Sequence, residues 1–167
     1  DSPTNGNFKI TIHLRTFVQA ASAHAQFTIT AYDDQDNHVR GGYVYFASAN
    51  RGFDNSSEED GHYSGHGITY QDMGTASFWM RLTKIEKTYT LQVSQNGIDF
   101  TQVSGSFEYG DGTPEKLGFI AMVDPTESSI AEIESFEVEL IAPPSIALVD
   151  TTSLSMTNLP VGTSCSI

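Results

Sequence analysis

The stretch FWMRLTKIEKTYTLQVSQNG, residues 78–97, contains two runs of alternating apolar and polar side chains that end at an Asn-Gly dipeptide. In the first run Phe78, Met80 and Leu82 fall on one side, and Trp79 falls on the other. Alternation with a period of two is typical of a β-strand with one buried face. Asn-Gly after such a run is a strong signal for a hairpin turn. These residues therefore predict antiparallel β-structure.

The same alternation recurs along most of the chain. It is clearest in FKITIHL (8–14) and QFTITAY (26–32), whereas LGFIAMV (117–123) is apolar enough for a strand that is covered on both faces. The segment SSIAEIESFEVELIA (128–142) is ambiguous, because its apolar residues recur both at near-helical spacing and, over 136–140, in alternation. We predict a strand here, with a helix as the alternative.

Length and composition restrict the class of protein. A chain of 167 residues suits one domain. A content of 38% hydrophobic and only 17% charged residues favours a soluble, secreted β-protein over a helical cytosolic one. The net charge of −13 argues against nucleic acid and anionic lipid as partners. No apolar run approaches the roughly 20 residues that cross a membrane, and the single cysteine, Cys165, excludes an intrachain disulfide.

The order of these segments resembles the concanavalin A-like β-sandwich modules that are attached to secreted glycoside hydrolases. The resemblance is carried by four stretches, which together span most of residues 7–140: AQFTITAYDDQDNHVRGG, SFWMRLTKIEKTYTLQVSQNGIDFTQV, KLGFIAMV and AEIESFEVEL. It implies an all-β fold, a two-sheet antiparallel jelly-roll sandwich formed by residues 1–142, followed by a C-terminal tail, 143–167.

The chain departs from the family's pattern at both ends. The family has one or two strands before the segment that begins here at Phe8, and it ends near Leu140. An unfilled position would leave a sheet edge exposed, which β-sandwiches avoid. We therefore predict that the tail run SLSMTNL (within 151–159) is β-paired and fills this position, either in its own chain or in a neighbouring copy.

The acidic stretch DDQDN (33–37) lies between two predicted strands. In the family this stretch joins two antiparallel strands, and Asn and Asp suit a reversal of the chain because they tolerate the left-handed conformation. We predict a hairpin turn that requires no cofactor. Calcium bound by Asp33, Asp34 and Asp36 is the alternative, since carboxylates are its preferred ligands.

Residues 50–77 show no sustained period and predict a long loop, of the kind that is usually functional or mobile. His62 and His66, with the acids around them, are a weaker candidate for a zinc or nickel site, because the glycines of this segment oppose the helix that would align the pair. Another acidic run, EIESFE (132–137), superficially resembles the Glu-x-Asp-x-x-Glu motif of laminarinase-type sandwiches, but lacks its central Asp. We expect solvated glutamates there and no enzymatic activity.

Aromatic residues are the better functional candidates. A sugar ring has an apolar C–H face that stacks on an aromatic plane, and its hydroxyls require polar neighbours. Trp79 and Arg81 share the outer side of their strand, and Tyr43 and Tyr45 share one side of theirs. We predict that these four residues form the carbohydrate-binding platform, and the competing interpretation is that Trp79 is part of the core.

The sequence thus predicts a non-catalytic, extracellular or cell-surface carbohydrate-binding module whose partner is a polysaccharide or glycan. The alternative is a structural or adhesive surface subunit that self-associates by strand exchange through its N-terminal end or its C-terminal tail, residues 143–167.

Overall fold

A computed structural model describes residues 6–18, 24–46, 50–74, 76–110, 113–123 and 128–142. The predicted tail strand within 151–159, and the whole tail 143–167, lie outside the described residues. All regular structure in the described residues is β, and no helix there is long and apolar enough to cross a membrane.

The first sheet, sheet A, contains six strands, which are β1 (Phe8–Val18), β6 (Phe78–Ile85), β7 (Thr88–Ser94), β8 (Thr101–Gln102), β9 (Phe107–Glu108) and β11 (Ile130–Leu140). Its order is β11-β1-β6-β7-β8, and β9 also pairs with β7. The second sheet, sheet B, contains five strands, which are β2 (Ala25–Tyr32), β3 (His38–Phe46), β4 (Asn50–Glu59), β5 (His62–Tyr70) and β10 (Lys116–Val123). Its order is β10-β2-β3-β4-β5. All pairs in both sheets are antiparallel, so the predicted two-sheet antiparallel sandwich is confirmed.

The core lies between the two sheets and follows the alternation of the sequence. On β1 the inward side chains of Phe8, Ile10, Ile12 and Leu14 have no exposed surface. Phe78, Met80 and Leu82 on β6 are equally buried, whereas Trp79 faces the other way. Burying a large apolar side chain is worth about 1.5–3 kcal/mol, so this two-residue period is the main determinant of the fold.

The acidic stretch 33–37 forms the predicted hairpin turn between β2 and β3. The carboxylate of Asp34 accepts hydrogen bonds from the backbone N–H of Asp36 (2.8 Å) and from Nδ2 of Asn37 (3.0 Å). The side-chain oxygen of Asn37 then accepts the N–H of Asp60 at 3.0 Å, which ties this turn to the one between β4 and β5. These side chains therefore cap backbone groups of the turns.

The segment 128–142 forms a strand, as predicted, and its near-helical spacing has a simple cause. The pairing of β11 with β1 is irregular near Glu134, so that Ile133 pairs with Leu14 while Ser135 pairs with His13. A β-bulge inserts a residue and shifts the alternation by one position. Ile133 and Phe136 are consequently three residues apart on the same face of the sheet.

Two predictions of local structure were wrong. Residues 50–77 are not a long loop, because most of them form the hairpin β4–β5. Two of its inward positions are occupied by the buried polar residues Asn55 and Ser57. Hydrogen bonds make their burial possible, since Asn55 Nδ2 donates to the Gly105 carbonyl (3.2 Å) and Ser57 Oγ pairs with His66 Nε2 (2.8 Å). The run 117–123 is not covered on both faces, because β10 is an edge strand and Phe119 is 46% exposed.

Candidate functional site

Trp79 lies on the outer face of sheet A, but its ring surface is largely occupied. The imidazole of His13 stacks on the indole with ring centroids 3.7 Å apart and an interplanar angle of 8°. On the β7 side, a Cβ placed on Gly97 would lie only 3.0–3.3 Å from indole atoms, so the glycine backbone packs directly against the ring. Gly97 has φ +74, a conformation that also favours glycine. The indole is therefore held between two protein groups rather than presented to solvent.

Arg81, the second predicted site residue, is engaged in the same way. Its guanidinium carbon lies 3.5 Å from the centre of the Phe100 ring, a cation–π contact. Its Nε donates to Thr11 Oγ1 at 3.2 Å. Arg81 thus links β1 to the segment after the β7 turn.

Tyr43 and Tyr45 point into the core between the two sheets, whereas Trp79 lies on the outer face of sheet A. Tyr43 has no exposed surface. Its hydroxyl donates to Asp72 Oδ1 (3.1 Å) and accepts a hydrogen bond from the Met73 N–H (2.8 Å). Tyr45 is 4% exposed and packs beneath the Arg51 guanidinium at 5.2 Å. The structure therefore does not bring the four predicted residues together. The prediction failed because β3 is apolar on both faces, and period-two alternation does not tell which face of such a strand points inward.

A second outer surface, that of sheet B, has a different character. Phe27, Tyr43 and Phe53 are paired across β2, β3 and β4 and face the core, so the next residues along each strand face outward. We call these outward residues and their neighbours the sheet B floor, consisting of Gln26, Thr28, Thr30, Arg40, Gly42, Asp54 and Ser56. Although they point away from the core, Gln26, Thr28, Thr30 and Ser56 are each at most 6% exposed.

Thr28 lies on β2, at the side of this floor next to β10, and is distinguished by its hydroxyl. It is 2% exposed, and its Oγ1 has no hydrogen-bond partner. Its register neighbour on β3 is Gly42, which contributes no side chain. The hydroxyl of Thr30, two residues along, instead donates to the Val39 carbonyl at 2.9 Å. Buried polar groups without a partner are rare in native structures and call for an explanation.

Two opposite charges lie on the next two strands of the floor, Arg40 on β3 and Asp54 on β4. Arg40 on β3 donates through Nε to Ser56 Oγ at 2.9 Å, and its guanidinium lies 5.7 Å from the centre of the Tyr63 ring. Burial raises the pKa of Asp54, and the charge of Arg40 partly opposes this effect. The floor therefore combines a hydroxyl, a cation and a partly desolvated carboxylate within a few register positions.

The edge strand β5 supplies exposed rings beside the floor. Tyr63 is 57% exposed, Tyr70 is 68% exposed, and Ile68 between them is 37% exposed. They pair with outward residues of β4, with Tyr70 opposite Gly52 and Ile68 opposite Asp54, so all three side chains project on the same face as the floor. Aromatic side chains that present one face to solvent beside convergent polar groups are typical of small-molecule binding sites.

Sequence reasoning missed these residues for a local reason. The pairing of β4 with β5 shifts between Asp54 and Ser56, and Gly67 lies in the bulge with φ +116. Tyr63 and Tyr70 are seven residues apart and would fall on opposite faces of a regular strand, whereas the bulge places them on one face. No signal in the sequence indicates a bulge at this position.

The other candidates from the sequence are dispersed. His66 stacks on Phe107 with ring centroids 3.7 Å apart, and desolvation lowers its pKa, whereas His62 is exposed at the start of β5. Glu134 lies 3.2 Å from His13 Nδ1 on the outer face of sheet A. Within the described ranges, no group of three or more His, Cys, Asp or Glu residues could hold a metal ion.

A cavity of about 350 Å³ also lies near the β7–β8 turn, lined by polar residues that include Gln71, Ser94 and Asn96. The polar groups of this turn mostly bond to one another. Asn96 Oδ1 accepts the N–H groups of Ile98 and Asp99 (both 2.9 Å), and its Nδ2 donates to the Asp99 carboxylate (2.8 Å). We therefore regard the sheet B floor as the stronger candidate.

No protein-family model and no curated protein matches the sequence. Solved structures match it at the level of fold. A variant of the GH43 protein BlXynB from Bacillus licheniformis superposes with a TM-score of 0.62 at 10% identity over 81% of this chain, which spans only 28% of that protein. A protein of unknown function from Saccharomyces cerevisiae gives 0.61 at 12% identity, covering 84% of this chain and 72% of that one.

Sheep galectin-11, solved as a complex with glycerol, matches along nearly its whole length. The TM-score is 0.55 at 9% identity, and the match covers 83% of this chain and 93% of the galectin. At such low identity these likenesses define the fold alone. The protein has a concanavalin A-like two-sheet β-sandwich fold.

Proposed function

We propose that this protein is a non-catalytic, extracellular carbohydrate-binding module and that it binds sugar on the sheet B floor and the adjoining tyrosines of β5. The observation that carries the proposal is the sequence of groups across this face: the buried, unpartnered hydroxyl of Thr28 on β2, then Arg40 on β3 and Asp54 on β4, then the exposed rings of Tyr63 and Tyr70 on β5. GH43 and galectin structures share the fold, which supports the proposal only at that general level.

The arrangement suits the two kinds of surface that a sugar presents. Tyr63 and Tyr70 offer aromatic planes to the apolar C–H face of a pyranose or furanose ring. Thr28 Oγ1 has one hydrogen bond that the protein leaves unmade, and because this hydroxyl is buried, a sugar hydroxyl reaches it only when the side chains over it move aside. Arg40 donates and Asp54 accepts, so a pair of neighbouring sugar hydroxyls can bond to both. Each charge-assisted hydrogen bond of this kind is stronger than a neutral one.

The charge of the chain narrows the class of glycan. A net charge of −13 repels polyanionic polysaccharides, and Asp54 offsets the charge of Arg40 within the site itself. The ligand that fits is therefore a neutral glycan. We propose that binding uses these side chains alone, without a metal ion.

A glycan array and titration calorimetry on the hits test the proposal. We expect the unmodified protein to bind neutral glycans and the double variant Tyr63→Ala/Tyr70→Ala to lose at least about tenfold in affinity, equivalent to 1.4 kcal/mol. Both rings are exposed, so its melting temperature should change little. Ile98→Ala, which removes a side chain that is 80% exposed at the distant β7–β8 turn, is the control. Absence of binding to any neutral glycan, or unchanged affinity in the double variant, would reject this site.

A further inference from the structure

One side of the sandwich is open, between edge strand β10 of sheet B and edge strand β11 of sheet A. The side chains of β11 that face inward are apolar, but they are far more exposed than inward residues elsewhere. Phe136 is 38%, Val138 42% and Leu140 46% exposed, whereas their partners on β1 have no exposed surface. Phe119 on β10 is 46% exposed and contacts the Phe136 ring with centroids 6.0 Å apart. We call this surface the β10–β11 groove.

The groove is apolar and lies beside an unpaired strand edge, so a further strand could fill it. Its lower end is a cavity of about 320 Å³ lined by Glu115, Lys116, Leu117 and Val138. The outer edge of β11 forms no strand pair among the described residues. The side of β11 that faces the groove is a row of exposed apolar side chains, and natural sandwiches cover such surfaces because they promote aggregation.

We propose that residues 145–149 of this same chain occupy the groove as a strand antiparallel to β11. The chain leaves β11 at Leu140, directly at the groove, and Pro143-Pro144 follows where a reversal is required. Proline is common in turns and cannot continue a central strand. In the next run, SIALV, Ile146 and Leu148 alternate, so a register that pairs Leu140 with Ile146 and Val138 with Leu148 points both side chains into the groove.

Charge favours this occupant over a second copy of the chain. The outer face of β11 carries Glu132, Glu134, Glu137 and Glu139, so a two-fold pairing of two β11 edges would bring these rows of carboxylates close together. Like charges on paired strands are destabilising. The tail from Pro143 to Ile167 contains a single charged side chain, Asp150, and brings no such repulsion. A tethered segment also binds at high effective concentration.

Occupation of the groove by the tail does not depend on sugar binding, because the groove opens between the sheets and not on the outer face of sheet B.

The accessibility of an introduced thiol in the full chain tests whether the tail occupies the groove. Cys165 is first replaced by serine so that one introduced thiol can be followed. Val138→Cys places that thiol in the groove, and Glu137→Cys places it on the opposite, outer face of the neighbouring position.

We expect the thiol of Val138→Cys to react with a maleimide at least about tenfold more slowly than that of Glu137→Cys, because the tail must open first. Adding Ile146→Asp and Leu148→Asp should release the tail and raise the Val138→Cys rate towards that of the control, which should itself stay unchanged. Similar rates in the parent background would show an uncovered groove and overturn the proposal. Protection that survives the aspartate substitutions, or that rises with protein concentration, would assign the groove to another segment or to a second copy and also overturn it.

Discussion

The outer faces of the two sheets differ in how far the protein satisfies its own polar and aromatic groups. On sheet A, Lys9 pairs with Glu139 at 2.5 Å, His13 pairs with Glu134 and stacks on Trp79, and Arg81 covers Phe100. On sheet B, the Thr28 hydroxyl has no partner and the tyrosines of β5 are exposed. A binding face is therefore indicated by unfilled bonding capacity and not by the presence of a tryptophan.

The same contrast separates the two interpretations of Trp79. As a sugar platform it would contribute to affinity and not to folding. As a ring held between His13 and Gly97 it contributes to folding and not to affinity. Variants that separate stability from binding therefore decide between the two faces.

Trp79→Ala should have the largest effect. Truncating a buried Phe or Trp costs about 3–5 kcal/mol, and for this partly buried ring we expect about 2 kcal/mol. Urea unfolding should show this loss, while glycan affinity under native conditions should stay within about twofold, because the sheet B floor is on the other sheet. Loss of binding without loss of stability would restore Trp79 as the site, as the sequence alone predicts.

Thr28→Val and Thr30→Val form a matched pair for the floor of sheet B. Thr30 donates to the Val39 carbonyl, so its variant should lose about 1 kcal/mol of stability. Thr28 has no partner to lose, so its variant should be as stable as the parent or slightly more so, yet bind glycan about fivefold more weakly. Chemical unfolding and calorimetry on both variants give the comparison, and a large loss of stability in Thr28→Val would show that its hydroxyl is already satisfied.

Asp54 should give a smaller, pH-dependent effect. Burial raises its pKa above the ordinary value of 3.8, so the folded protein holds this proton more tightly than the unfolded chain does. The resulting stabilisation is complete below pH 3.8 and is lost as the pH rises through the raised pKa. Relative to the parent, Asp54→Asn should therefore gain stability as the pH increases from 3 to 7. Urea unfolding at several pH values measures this slope, and a flat or opposite slope would contradict the burial of this carboxylate.

Removal of divalent cations should have the smallest effect. The oxygens of Asp34 and Asn37 already accept hydrogen bonds within the turns at this end of sheet B. EDTA should therefore shift the melting temperature little. A ligand at a hundredfold excess over its Kd stabilises the native state by about 2.7 kcal/mol, so a calcium-dependent rise of several degrees would show that the turn is a metal site after all.

Much of the fold could be predicted because alternation reports burial directly. Residues 78–97, the β2–β3 turn and the apolar rows of β1 and β6 followed from period two and turn chemistry. The hairpin β4–β5 could not be predicted in the same way, because the polar residues Asn55 and Ser57 occupy inward positions, where Asn55 bonds to the distant Gly105 carbonyl and Ser57 bonds to His66 of the same hairpin. Polar residues in a core give no periodic signal.

The sequence by itself determined that the chain is an antiparallel β-protein and which side of most strands is buried, since these depend on neighbours two residues apart. Only the tertiary structure decided which outer face offers free groups. Whether His13 meets Trp79, whether Thr28 finds a partner, and whether Tyr63 and Tyr70 share a face depend on strand order and on a bulge at Gly67. The first of these features depends on pairing between β1 and β6, which are far apart in the chain, and the other two depend on the register within neighbouring hairpins; period-two alternation encodes neither.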